Sequence, residues 1–166
     1  EELRRLNNII QPEWISDHLS ASKINGVFYP DLLPFPLTQE TLDAVCKRVD
    51  TVQNILQKPF LLENPVLYAI FNNNTFTESK FLATVCEKTG CSILLDINNL
   101  YVNQINFGIS AKQYFQELNK HTVKQMHLAG HVVFKKFLID THSQAIQQPV
   151  WDLYQKAIKH FGNVVA

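Results

Sequence analysis

Short apolar runs that stop at a carboxylate or an imidazole recur along this chain, separated by longer stretches with apolar residues at helical spacing. The runs are Glu13-Trp14-Ile15-Ser16-Asp17-His18, Pro59-Phe60-Leu61-Leu62-Glu63-Asn64, Cys91-Ser92-Ile93-Leu94-Leu95-Asp96, Val123-Lys124-Gln125-Met126-His127 and Phe137-Leu138-Ile139-Asp140-Thr141-His142. Each predicts a strand that buries its body and presents a reactive group at its carboxyl end. In a parallel barrel such ends converge on one face.

The intervening pattern is helical. Leu3, Leu6, Ile9 and Ile10 lie on one face of a helix over Glu1 to Gln11. Ser20 to Leu37 holds Gly26, Pro30, Pro34 and Pro36, which predicts an ordered loop. Thr38 can cap a helix with Glu40 in its first turn, and Leu42, Val45, Val49, Val52, Ile55 and Leu56 form its apolar stripe as far as Lys58. A helix from Thr77 buries Phe81, Leu82 and Val85 and stops at Gly90. Ser110-x-x-Gln113 is a capping box, followed by Tyr114, Phe115 and Leu118. Pro149 suits the first turn of a last helix through Phe161, and Asn163 to Ala166 start another strand.

Strands alternating with amphipathic helices predict one parallel α/β domain over residues 1–166, with about five strands and four to five helices. The fold class is a TIM-type (β/α) barrel. Since a complete one takes about 250 residues, the barrel is expected to be incomplete here.

Fifteen basic and fifteen acidic residues balance, so nothing points to a nucleic-acid footprint or an anionic membrane surface. The expected partner is small or peptidic. No apolar run approaches the roughly 18 residues of a membrane span, and no signal-type apolar region follows a basic start. Cys46, Cys86 and Cys91 are odd in number and lack C-x-x-C spacing, which fits a reducing compartment. The expectation is a soluble, cytoplasmic protein.

A carboxylate directly after Phe60-Leu61-Leu62 is costly to bury without a cation or donor, so Glu63 is expected to be a metal ligand or general base. Asp96 ends Ile93-Leu94-Leu95 in the same way, and these two are the candidate catalytic carboxylates. Asn98 and Asn99 can cap the following turn or line the pocket. A single buried histidine such as His18 is often only a hydrogen-bonded core residue, and its claim rests on the ensemble. Of His127 and His131, only His127 holds a strand-end position. Asp140-x-His142 puts two ligand types on one side of an extended segment. His121 and His160 are assigned no chemistry. Imidazole and carboxylate ligation without thiolate suits iron, manganese or zinc, and more than four ligands suggest more than one ion.

Several strings resemble the multinuclear non-haem iron-dependent oxidase family, of which the methanobactin-biosynthesis oxidase is the best-known type. They are Ile15-Ser16-Asp17-His18-Leu19-Ser20, Leu32-Leu33-Pro34-Phe35-Pro36, Leu62-Glu63-Asn64-Pro65, Thr89-Gly90-Cys91, Leu94-Leu95-Asp96-Ile97-Asn98-Asn99, His127-Leu128-Ala129-Gly130-His131, Ile139-Asp140-Thr141-His142 and Val150-Trp151-Asp152-Leu153-Tyr154. The resemblance implies a TIM-type barrel holding two or three irons. It also implies O₂-dependent modification of peptide residues, commonly cysteine, in ribosomally made natural products, with a recognition partner protein often presenting the precursor peptide.

Carried over by motif, His18, Glu63, Asp96, His127, Asp140 and His142 are the implied metal ligands, with Asn64, Asn99 and His131 near them. The resemblance also implies further strands and a histidine ligand before residue 1, and a glutamate-containing end to the strand begun at Asn163. Asn106-Phe107-Gly108 stands where the family often has Asn-His-Gly. Two rival readings stand beside this one. One is a zinc or manganese hydrolase or isomerase using Glu63 as base. The other is an inactive, truncated relative that serves as a binding module, its open sheet edges covered by a second copy or another chain.

Overall fold

The computed structural model describes residues 1–162 and 164–166. Helix α1 (Glu2–Ile10) leads to β1 (Ile15–His18), β2 (Ala21–Ile24), β3 (Val27–Leu33), α2 (Gln39–Leu56) and β4 (Phe60–Glu63). Then come α3 (Glu78–Thr89), β5 (Ser92–Asp96), α4 (Ile97–Phe107), α5 (Ala111–Glu117) and β6 (Val123–His127). Strands β7 (His131–Phe134) and β8 (Phe137–Asp140) precede α6 (Gln148–Phe161).

The central sheet is parallel, in the order β1-β4-β5-β6. The bodies of its inner strands are apolar because both faces are covered: Phe60, Leu61, Leu62, Ile93, Leu94 and Leu95 are all buried. Leu42, Cys46 and Val49 of α2 join Phe81, Leu82 and Val85 of α3 in the core against that sheet. The helix ends follow the sequence. Thr38 and Thr41 cap each other's backbone reciprocally, Thr77 accepts from the Lys80 N–H, and Ser110 accepts from the Gln113 N–H. Gly90 ends α3 at φ 72°, a left-handed turn that only glycine enters without strain.

Three expectations are corrected. The segment Ser20 to Leu37 contains an antiparallel hairpin, β2 with β3, and Ile24 pairs with Val27 across a two-residue turn. Asn25 and Gly26 both have positive φ there, the Asn-Gly turn that favours hairpins, and Pro30 is tolerated because a two-stranded ribbon is all edge. The run Phe137 to His142 is not a parallel strand, since β8 pairs antiparallel with β7 through a Lys135-Lys136 turn. And over Ile97 to Phe107, where the sequence pattern offers only Asn98 and Asn99 as caps of a turn or as pocket lining, the chain forms helix α4.

Four asparagines made α4 unreadable as a helix, and its tertiary contacts explain them. Asn103 accepts from the Leu67 N–H and donates to the Pro65 carbonyl. Asn106 does the same with Leu138, tying β8 to the helix like a borrowed strand partner. At the chain's end Val165 bridges in parallel to Gln125, and the Met126 N–H donates to the Val165 carbonyl at 2.8 Å. Asn163, the first residue of the strand expected there, lies outside the described residues. The described residues form an open four-stranded parallel sheet with this bridge at the β6 edge and do not close into a barrel.

Gly130 sits between β6 and β7 with its backbone against the following loop. A Cβ there would fall on the Gln144 carbonyl and lie 2.7 Å from the Ala145 oxygen. Gly130→Ala should therefore cost about 2 kcal/mol, because the obstacle is backbone and cannot swing aside. Urea denaturation of the variant measures it, and an unchanged midpoint would contradict the packing.

Candidate metal centre

Parallel register brings the strand ends into one line. His18 is level with Glu63 across β1 and β4, and Asp96 is level with His127 across β5 and β6. The Glu63 carboxylate lies between two imidazoles, with Oε1 3.0 Å from His127 Nδ1 and Oε2 3.5 Å from His18 Nε2. Asp96 Oδ2 is 4.0 Å from the same His127 nitrogen. Donor atoms of Glu63, Asp96 and His127 all lie within 4.8 Å of one another.

The two carboxylates are almost wholly buried, Glu63 at 4% exposure and Asp96 at 0%. Asp96 does two jobs. Its Oδ1 accepts the Asn99 N–H at 2.7 Å and so caps α4, while Oδ2 is buried with no hydrogen-bond partner among the described residues. Burial pushes the Asp96 carboxyl up to about 7, the Asn99 N–H opposes this, and the charges of Glu63 and Asp140 add to it. A buried acceptor with no donor, beside a second buried carboxylate, is the arrangement a cation relieves. The oxygen and nitrogen donors, without thiolate, fit a divalent transition metal.

Asparagines brace these ends. Asn64 donates to the Asp96 carbonyl and accepts the Asp96 N–H, joining β4 to β5 where the ladder stops. Asn99 donates to the Asn64 carbonyl. On the β7–β8 side, His131 Nδ1 is 2.8 Å from Asn98 Oδ1, and Asn98 Nδ2 donates to Asp140 Oδ1 at 2.8 Å. Because the Asn98 amide donates to a carboxylate, its oxygen must accept. His131 therefore carries its proton on Nδ1 and keeps a lone pair on Nε2. Burial lowers the His131 pKa, and nearby Asp140 opposes this.

The structure thus brings His18, Glu63, Asp96 and His127 to one end of the parallel sheet. Asp140 and His142 reach their positions by another route, because the run that carries them is an antiparallel hairpin. They are paired with each other, His142 Nε2 to Asp140 Oδ2 at 3.2 Å, and lie outside the three-residue cluster. His142 is exposed and left-handed at φ 52°, so the extended period-two placement expected for Asp140-x-His142 does not hold. Burial raises the Asp140 pKa, with His142 and Asn98 opposing. His160 stacks on Phe115, and His121 is exposed ahead of β6. Sequence reasoning undervalued Asn98, whose position two residues past a strand-ending aspartate was the available signal.

Residues 1–166 match the family described as RiPP precursor modification enzyme MbnB/TglH/ChrH. The chain belongs to this family. It is 43% identical over 167 residues to a UPF0276 protein of Caulobacter vibrioides, covering 99% of this chain and 60% of that protein. A UPF0276 protein of Rhizorhabdus wittichii is 43% identical over 162 residues, covering 98% of this chain and 58% of its own length. One from Vibrio vulnificus is 39% identical over 165 residues, covering 97% and 57%. The chain spans about 60% of the length of the curated relatives it matches. Among the described residues, no helix is long and apolar enough to cross a membrane.

The Asn98 bridge is testable in this chain alone. Asn98→Ala should destabilise it by about 2 kcal/mol, since it strands the buried His131 Nδ1–H and removes a donor from the half-buried Asp140 carboxylate. In ¹⁵N NMR of the imidazoles, His131 should be the Nδ1–H tautomer in the parent and lose that preference in the variant. An Nε2–H tautomer in the parent would refute the bridge as drawn.

Proposed function

We propose that this chain carries the metal-binding strands of an enzyme that uses O₂ to modify a cysteine-containing, ribosomally made peptide. The observation that carries the reading is the unpartnered, buried Asp96 Oδ2 beside Glu63 and His127 in a member of a peptide-modifying family. His18, Glu63, Asp96 and His127 would hold metal, with Asp140 and His142 as further ligands around two or three ions. Iron bound there would supply the redox chemistry, with zinc or manganese the alternatives.

The protein's own groups have separable tasks. Glu63 and Asp96 contribute the negative charge that makes a cation welcome in a buried place. Asn64 and Asn99 hold the strand ends in register, so the carboxylates cannot drift apart. His131, with its proton fixed on Nδ1, offers Nε2 as an acceptor. The hairpins that follow β1 and β6 expose Phe28, Tyr29, Phe134 and Phe137, apolar surface suited to a peptide chain. The precursor peptide, with a recognition partner protein presenting it, is the expected occupant.

Association also fits the uncovered apolar side chains of α1, Leu3, Leu6, Ile9 and Ile10. A second copy or the further strands of longer relatives would cover them and pair the open β1 edge. The deciding experiment is elemental analysis with visible absorption on protein purified without oxygen. Iron with an absorption band supports the oxidase, whereas colourless zinc or manganese protein turns the assignment to a hydrolase or isomerase. Metal-free protein that takes up none of the three would overturn the metal centre itself.

A further inference from the structure

Cys86 and Cys91 stand at the opposite end of β5 from Asp96. The left-handed turn at Gly90 folds the chain back after α3, the Gly90 N–H donating to the Cys86 carbonyl at 2.9 Å. Caps of this kind bring the residue after the glycine onto the last helical turn, usually as an apolar contact. Here both residues are cysteine, and their Sγ atoms are 3.7 Å apart. Both are free and buried, at 4% and 3% exposure.

We propose that Cys86 and Cys91 form a dithiol site that a small hydroperoxide oxidises reversibly to a disulfide. A disulfide needs sulfurs about 2.05 Å apart on nearby backbone, a closure within reach of side-chain rotation from contact distance. Burial selects the oxidant, because hydrogen peroxide is scarcely larger than water and a bulky disulfide reagent would need the helix end to open. The five residues of β5 separate this site from Asp96 by about 16 Å, so it is distinct from the metal centre. The proposal does not depend on the function proposed above.

The order of events follows from the local hydrogen bonds. The Cys86 contact and the Thr89 hydroxyl push the Cys91 thiol down, burial opposing, while Cys86 is pushed up. Cys91, as thiolate, attacks one peroxide oxygen; the O–O bond breaks, water leaves, and Cys91 becomes a sulfenic acid. Cys86 then gives up its proton and attacks the Cys91 sulfur, the S–O bond breaks, and a second water leaves. Two thiols lose two electrons and two protons, and one peroxide becomes two waters. Cys46, from α2, is buried in the same core but makes no sulfur contact among the described residues, and it should remain a thiol.

The test is to expose the purified, reduced chain to hydrogen peroxide, alkylate what remains, and map the peptides. Trypsin cleaves after Lys88, between the two cysteines, so the bridge appears as two linked peptides. Titratable thiols should fall from three to one, Cys46 alone should be alkylated, and dithiothreitol should restore all three. In Cys86→Ser, whose hydroxyl keeps a donor beside the Cys91 sulfur but forms no bridge, the reaction should stop at a Cys91 sulfenic acid that dimedone traps. Persistence of three thiols, Cys91 sulfinic acid without a bridge, or a bridge through Cys46 or between molecules would each overturn the proposal. The parent's peptide map decides on its own where Cys86→Ser does not fold.

Discussion

Glu63→Gln should weaken the chain's affinity for a divalent metal by more than about 100-fold, the upper end of what loss of a supporting partner costs, while His160→Gln leaves it unchanged. The amide keeps the shape and volume of the carboxyl group but removes a full negative charge from a place that is 4% exposed. His18, His127 and Asp96 remain, but a single carboxylate is then left to offset a buried dication. His160 serves as the control because it stacks on Phe115 and meets Phe161 edge-on at the end of α6, outside the metal cluster. Competition titration against a chromophoric chelator reads both constants. Equal losses in the two variants would mean that metal binds elsewhere.

What could be read from the sequence depended on whether a residue's role was local. Helix ends at Thr38, Thr77, Gly90 and Ser110 are satisfied within a few residues, and each was legible from its own neighbours. The strands ending in Glu63, Asp96 and His127 were legible too, because an apolar run ending in a charge has few stable placements. Helix α4 was not, since Asn103 and Asn106 spend their amides on Pro65, Leu67 and Leu138, partners more than thirty positions away. The hairpin at Asn25-Gly26 was a missed local signal, outweighed by the prolines around it. Asp140 and His142 resembled a strand end by composition, but alternation alone does not distinguish a parallel strand from one leg of a hairpin.

Stability should fall by about 3 kcal/mol as pH rises from 4.5 to 7 through one group remote from the metal centre, Glu78. It is the first residue of α3, 7% exposed, beside a cavity of 350 Å³ lined by Leu37, Ile70, Phe76 and Tyr114. Burial raises its carboxyl to about 7, and the Tyr114 hydroxyl, donating to Oε2 at 2.9 Å, opposes the rise. Glu117 of α5 binds the Thr77 and Ser79 hydroxyls and adds negative charge at this junction, with the Lys80 ammonium acting on Glu117. Among the described residues no lysine, arginine or histidine pairs with Glu78.

The folded pKa lies above the unfolded value of 4.5, so the stability contribution is whole below 4.5 and lost as pH rises through 7. Asp96 shifts in the same direction, so the parent's pH profile alone does not isolate Glu78. Glu78→Gln does: it should match the parent within about 0.5 kcal/mol at pH 4.5 and exceed it by about 3 kcal/mol at pH 8. Tyr114→Phe should show the reverse, a loss at pH 8 larger than at pH 4.5, because it removes the donor that the charged form needs most. Urea denaturation at the two pH values measures all three proteins. A Glu78→Gln advantage of equal size at both would mean that the gain comes from packing and not from ionisation.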